Sequence, residues 1–236
     1  MSYNVRMFNY YKLNKDENTA QKTYQFINNI DSDILAIQEF YDNKKNNLHY
    51  PYKYIKLKSK NLKFGLAIFS KYPIINSGSL DFENSGNNAI FVDVIKEKDT
   101  IRIYNLHLQS LKINPAKENF GQADSEKLFK RLKNGFYKQA KQTERFLAHE
   151  KQWLGKKIIC GDFNNTAYSW VYHQLKNNKK DAFIEAGSGF SKTFHYPFPM
   201  RIDFMLTDIS AQVYQYKTFD TNFSDHNPIF SRIGWD

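Results

Sequence analysis

The chain is short of the residues that several common chemistries require. It holds a single cysteine, Cys160, so it can form no internal disulfide and no cysteine-rich metal cluster. Cys160 lies in an apolar run with no partner histidine pattern and reads as a small buried apolar residue. Proline (6) and glycine (10) are sparse among 236 residues, and no linker rich in either is present. No apolar stretch approaches the roughly 18 residues that a bilayer-crossing helix needs. The start of the chain has no basic segment followed by an apolar one, so no secretory signal is visible. A Gly-rich phosphate loop with a lysine, a dinucleotide fingerprint, a clustered Cys/His zinc pattern and a Gly-x-Ser-x-Gly elbow are all missing.

Arginine is also scarce. Of 34 basic residues, 28 are lysine and 6 arginine, and the net charge is +10. So large an excess invites a nucleic-acid or anionic-surface reading. Yet there is no dense arginine cluster of the kind that grips phosphates bidentately. The lysines are spread out as on an ordinary solvated surface. Lys, Asn, Ile, Phe and Tyr are all abundant, as AT-rich coding would produce, so part of the charge follows codon usage.

Hydrophobic residues (41%) and aromatics (17%) suffice for the core of one large domain, residues 1–236. Most strand candidates are apolar runs that end in polar or ionisable residues. Asp33–Ile37 leads to Gln38-Glu39, Ile101–Tyr104 to Asn105-Leu106-His107, and Lys157–Cys160 to Gly161-Asp162-Phe163-Asn164. The strand Arg201–Leu206 carries Asp203 between Ile202 and Phe204, so that its side chain points to the face opposite theirs. Phe64–Phe69 and Ala89–Ile95 read as further core strands. Helical spacing marks Glu17–Asn29, Ser125–Trp153 and Tyr168–Asn177. In the longest of these, Leu128, Leu132, Phe136, Ala140 and Leu147 form a stripe expected to pack onto a sheet. The polar segment from Leu111 to Asp124 reads as a loop. Mixed strands and helices imply an α/β or α+β sandwich of layers. Only Met1, Ser2 and Tyr3 precede Asn4, so the first strand looks short; an anchor or signal upstream of Met1 would be invisible, and the compartment stays open.

The strand ends carry the chemistry. A carboxylate and an amide side by side, as in Gly-Asp-x-Asn, suit a hard divalent cation and a phosphate oxygen. A second such signal, Ser224-Asp225-His226-Asn227-Pro228, closes the chain, and Gln38-Glu39 lies near its start. Hydrolysing a phosphodiester requires a cation on an oxygen, an activated water, stabilisation of the added charge and protonation of the leaving group.

Together, Ser2-Tyr3-Asn4-Val5-Arg6, Gln38-Glu39, Asn105-Leu106-His107-Leu108, Gly161-Asp162-Phe163-Asn164, Arg201-Ile202-Asp203 and Ser224–Pro228 resemble, in order, the motifs of the endonuclease/exonuclease/phosphatase superfamily, whose members are similar to deoxyribonuclease I. The segment Asn165–Trp170 resembles the broad bacterial branch. The resemblance implies a four-layer α/β/β/α sandwich: two mixed β-sheets flanked by helices, with the site at one edge. It also implies phosphoester hydrolysis assisted by Mg²⁺ or Mn²⁺. Glu39 is then the main metal ligand, with Asn4 beside it and Asp225 near; Asn9 is a competing choice for Asn4. Asp162 and Asn164 hold water and phosphate, His226 contacts the phosphate, Asp203 orients His226, and His107 supplies a second imidazole. Whether Asp162 or the Asp203–His226 pair is the base stays open. Phe194 and His195 are candidate substrate contacts. His49, His149 and His173 are read as structural or surface residues.

Fold does not select the substrate. Nucleic acid, DNA in particular, is the leading expectation, with Tyr168, Trp170, Phe194 and Tyr196 as candidate stacking residues; the plain alternative for these aromatics is core filling. A lipid headgroup or other small phosphoester is the other expectation, and no protein partner is implied. A non-catalytic binding module would show gaps in the series of motifs, and there are none.

Overall fold

The computed structural model describes residues 1–43, 46–59, 61–111, 122–195 and 200–236. Most of the segment read as a loop after Leu111, including Pro115 and Gly121, and the aromatic candidate Tyr196 lie outside the described residues. Along the chain, β1 (Ser2–Asn4) is followed by a tight turn, Arg6–Asn9, then α1 (Thr19–Ile30), β2 (Ile34–Tyr41), β3 (Tyr52–Ser59) and β4 (Leu62–Ser70). Next come β5 (Ile74–Ser79), β6 (Asn88–Lys96), β7 (Asp99–His107), the long α2 (Gln122–Glu150), β8 (Lys157–Asp162) and α3 (Trp170–Lys176). The chain closes with β9 (Lys179–Asp181), α4 (Ala182–Ala186), β10 (Asp203–Asp208), β11 (Gln212–Thr218) and β12 (Ile229–Gly234).

The strands form two six-stranded sheets, ordered β11-β12-β1-β2-β4-β3 and β5-β6-β7-β8-β10-β9. Each is mixed: β1/β2 and β7/β8 are parallel, and the remaining pairs are antiparallel. The three-residue β1 is held on both sides, by β2 and β12.

Strand alternation sorts side chains into three apolar layers. Between the sheets, Leu66 and Ile68 meet Ile90, Val92, Ile101 and Ile103, while Ala36 meets Cys160, Met205 and Ile229. Cys160 is thus a small residue where the sheets face each other, as expected. On the outer face of the first sheet, Tyr24 and Ile27 of α1 cover Leu35, Ile37 and Phe69. On the outer face of the second, Phe146 of α2 and Val171, Tyr172 and Leu175 of α3 cover Tyr104, Leu106, Ile159 and Phe204. The result is the α/β/β/α sandwich expected from the motifs.

The long helix corrects one expectation. Its buried stripe is Gln139, Gln142, Thr143, Phe146 and Glu150, and not the run Leu128, Leu132, Phe136 and Ala140. Every described residue from 125 to 134 is at least partly exposed, and Phe136 is 47% exposed. The buried glutamines satisfy strand-end loops that an apolar stripe could not. Gln139 Nε2 donates to the carbonyls of Gln109 (2.7 Å) and Asn164 (3.1 Å), and Gln142 Oε1 accepts from the Gln109 N–H at 2.8 Å.

Candidate active site

Strand register assembles the site. In the second sheet His107 is paired with Asp162, and Asp162 with Asp203. Paired positions point to the same face, so three ionisable side chains stand in a row across β7, β8 and β10. In the first sheet Asn4 is paired with Gln38, which brings Glu39 beside Asn4.

Local backbone geometry aims these groups. Between β2 and β4 the register passes from Ile37 opposite Ala67 to Phe40 opposite Gly65, so Gln38 and Glu39 together oppose a single residue. This bulge, with Glu39 at φ 51°, breaks the alternation. Ile37 and Phe40 both stay in the outer core, and Glu39 is released toward the pocket. Gly161 has φ 137°, and a Cβ there would stand 1.9 Å from the Leu106 carbonyl oxygen. Only glycine allows β8 to approach β7 this closely just before Asp162. Asn164 (φ 50°) and the turn Arg6–Asn9 (φ 44–60°) are also left-handed. Such strain concentrates at functional sites. Asn164 is fixed by its N–H on Asp162 Oδ1 (2.8 Å) and its Nδ2 on the Leu108 carbonyl (2.9 Å).

Asp162 is the hub. Its Oδ2 lies 3.1 Å from Asn4 Nδ2, 3.6 Å from His107 Nε2 and 3.7 Å from His226 Nε2. Asn4 Nδ2 also reaches Glu39 Oε1 at 3.5 Å, so one amide nitrogen touches carboxylates from both sheets. His226 Nδ1 is 2.9 Å from Asp203 Oδ2. Thr193 Oγ1 accepts from the N–H groups of both Ile202 and Asp203, which fixes the start of β10.

Burial pushes the Asp162 carboxyl up, against the opposing pull of His226. Burial likewise raises Glu39. For His226, burial works against the charge, but Asp203 and Asp162 outweigh it, and its pKa is pushed up to about 10. Burial holds His107 below its ordinary value despite Asp162 beside it. Burial thus favours the neutral forms of Glu39, Asp162 and His107, while the acids around His226 favour its charged form.

Glu39, His107, Asp162, Asn164, Phe194, Asp225 and His226 all line one pocket of about 410 Å³. Asp225 is turned toward Arg6, whose Nε lies 3.2 Å from its Oδ2. Phe194 packs its ring 4.9 Å from that of His226. His195 faces an adjoining groove, and its Nε2 lies 2.9 Å from Asn227 Oδ1. Asn9 is bonded to the backbone of Asn14 in that same groove, which leaves Asn4 as the amide beside Glu39. Phe136, Leu111 and Met200 also line this pocket, and none of them was read from sequence as a site residue. Phe136 looked like a core position in a helical stripe, and only its exposure separates it from one.

The donor set fits a divalent cation. Glu39 Oε1 and Asp162 Oδ2 lie 3.5 and 3.1 Å from the one Asn4 amide nitrogen, and Asp203 stands in the same cluster behind His226, whose charged ring leaves the ligand role to the oxygens. Hard oxygen donors of this kind suit Mg²⁺ or Mn²⁺. Burial is the main cause that raises the carboxyls of Glu39 and Asp162, and a bound cation would favour their charged forms.

A two-sheet sandwich with this row of strand-end acids and imidazoles defines the class of deoxyribonuclease I-like phosphoester hydrolases. The chain belongs to the Endonuclease/Exonuclease/phosphatase family, whose model matches residues 1–226. Among solved structures it is similar to a family protein from Bacteroides vulgatus (TM-score 0.75, 18% identity, 100% of this chain and 97% of that one). A mannosyl-6-phosphatase from Bacteroides thetaiotaomicron gives TM-score 0.70 at 16% identity over 99% and 98% of the two chains. A humanized D. rerio TDP2 gives 0.70 at 14% identity over 99% and 97%. At these identities the likeness shows the fold. No curated protein matches the chain in sequence.

Proposed function

We propose that this chain is a divalent-metal-dependent phosphodiester hydrolase that acts on nucleic acid, DNA in the first place. One observation carries the reading: Asn4, His107 and His226 converge on Asp162 Oδ2 from three separate chain segments, with Glu39 one amide away. A bound Mg²⁺ or Mn²⁺ would be held by Glu39 and Asn4, with Asp162 and Asp225 near. It would supply Lewis-acid charge to a phosphate oxygen and acidify a water. Asp162, fixed by the Asn164 N–H, positions the attacking water and accepts its proton. His226, kept charged by Asp203, offers Nε2–H to the phosphate as negative charge builds. His107, whose Nε2 lies 3.6 Å from the same Asp162 oxygen, serves the leaving oxygen.

The nucleic-acid part rests on the rim. Tyr168 is 94% exposed and Trp170 is 51% exposed, so neither fills the core. Both follow Asn165 and Thr166 of the pocket wall. Exposed aromatics beside a surface of net charge +10 suit backbone attraction with base stacking. A small phosphoester or lipid headgroup is the second reading, favoured by the modest pocket volume, about 410 Å³. The mannosyl-6-phosphatase on the same fold fits that reading as well.

The test is hydrolysis of plasmid, single-stranded DNA, abasic duplex, RNA, sphingomyelin, phosphoinositides and bis-p-nitrophenyl phosphate, with Mg²⁺, Mn²⁺ or EDTA. Metal-dependent DNA cleavage that falls steeply between low and moderate salt supports the reading, because counterion release follows phosphate contacts. Turnover confined to small esters and indifferent to salt would replace it with the second.

A further inference from the structure

We infer that Phe136 of α2 is a specificity residue: with Leu111 and Phe194 it forms an apolar wall that receives a flat ring, a nucleobase, next to the scissile phosphate. This rests on the phosphodiesterase reading above and adds the part of the substrate that the catalytic groups do not touch.

The wall is built and held. Phe136 is 47% exposed and lines the catalytic pocket together with Leu111, Phe194 and Met200. An exposed phenylalanine on a well-anchored helical turn contributes little to the core, and its apolar surface stays available to a ligand. The anchoring comes from the next turn, where Gln139 bonds both the Gln109 and Asn164 carbonyls and accepts from Asn165 Nδ2 at 2.9 Å. Those bonds tie α2 to the loops after β7 and β8, the strands that carry His107 and Asp162. Gly135 completes the surface. A Cβ at that position would come within 2.9 Å of Leu111 Cδ2, so the missing side chain lets Leu111 nest against the helix beside Phe136.

The polar groups of the same pocket point to the kind of ring. Asn164 Nδ2 is bonded to Leu108, Asn165 Nδ2 to Gln139, and Asn165 Oδ1 accepts the Thr166 N–H. Amides already bonded within the protein are poor readers of base edges. A hydroxyl-rich ligand laid against Leu111, Phe136 and Met200 would lose water to side chains that return no hydrogen bond. A nucleobase offers an apolar face and needs no edge contact, since every base has a π-face on which an aromatic side chain can stack. The wall therefore favours nucleotides over sugar or polyol phosphates and discriminates weakly among the four bases.

The experiment compares a thymidine dinucleotide, the same phosphodiester with both bases removed, and glycerophosphocholine, each with Mn²⁺. The wild-type protein is expected to hydrolyse the dinucleotide about tenfold faster (kcat/KM) than the abasic analogue, the scale of one stacked base. Phe136→Ala should erase most of that ratio, and Phe136→Trp should restore it. Exchange of thymine for the other bases should change the rate only a few-fold. An unchanged ratio in Phe136→Ala, or a wild-type preference for the abasic diester or glycerophosphocholine, would overturn the inference. Hydrolysis of none of the three would instead defeat the phosphodiesterase reading itself.

Discussion

Gln38 and Asn105, one residue before Glu39 and two before His107, are joined across the two sheets by a hydrogen bond of 2.6 Å. Asn105 Nδ2 also donates to the carbonyls of Ile37 (2.8 Å) and Ala67 (3.0 Å), and Gln38 Nε2 reaches Ser2 Oγ at 3.1 Å. Four strands are thereby joined within two residues of Glu39 and His107. Glu39, on the first sheet, and His107, on the second, are set relative to each other by this buried pair.

Replacing Asn105 with leucine should therefore disturb stability and activity together. The variant leaves buried carbonyls without donors, at roughly 1–3 kcal/mol each. Urea unfolding should show a midpoint well below wild type, with turnover reduced at temperatures where the variant is still folded. A midpoint equal to wild type would mean that the bridge does not hold the sheets together.

Gly161→Ala tests the close approach of β8 and β7. The added methyl would sit 1.9 Å from the Leu106 carbonyl oxygen, and the φ of 137° is one that an L-residue rarely adopts. A loss of about 3 kcal/mol or more is expected, the sum of strain and displaced backbone. Soluble expression and thermal melts give the readout; wild-type stability would contradict so close an approach of β8 to β7.

The proposed roles of Glu39 and His226 differ in what they should do beyond activity. Glu39→Ala, Asp162→Ala and His226→Ala should each lower turnover at least ~100-fold, the scale of a lost metal ligand or acid–base group. Added Mn²⁺ should raise the melting temperature of wild type, because a ligand that binds only the folded state stabilises it. That gain should vanish in Glu39→Ala and persist in His226→Ala. Undiminished hydrolysis by Asp162→Ala would sink the assignment of its role.

The Asp203–His226 pair fixes a pH signature. The folded-state pKa of His226 is raised from 6.5 to about 10. Its contribution to stability is therefore complete below pH 6.5 and drains away as pH climbs toward 10. The metal-free wild type should lose melting temperature across that window. Asp203→Asn, which removes the carboxylate facing Nδ1, should start lower and fall less steeply. Parallel pH curves for the two proteins would show that the imidazolium is not held by Asp203.

Much of this site was legible in the chain because its parts sit at strand ends. Asp162, Asp203, His107 and Glu39 each follow or interrupt an apolar run, and such runs mark buried strands whatever their partners. The aromatic rim was half legible: Tyr168 and Trp170 stood out as aromatics near Asp162, but their exposure over core filling was decided only in space. Phe136 was misplaced. Its helical spacing with Leu132 and Ala140 predicted a sheet-facing stripe, and the folded helix instead buries Gln139 and Gln142, whose amides satisfy loop carbonyls that no periodicity reveals.

The amino-acid sequence by itself determined which segments become strands, which ends carry acids, amides and imidazoles, and the family to which they belong. These depend on local alternation and on residue chemistry. The tertiary structure decided what touches what: the bulge that swings Glu39 inward, the pairing of Asp225 with Arg6, the charge on His226 and the apolar wall at Phe136. Each of these is a consequence of register and burial between segments as far apart as Asn4 and His226. Such contacts exist only once two sheets have packed and excluded water.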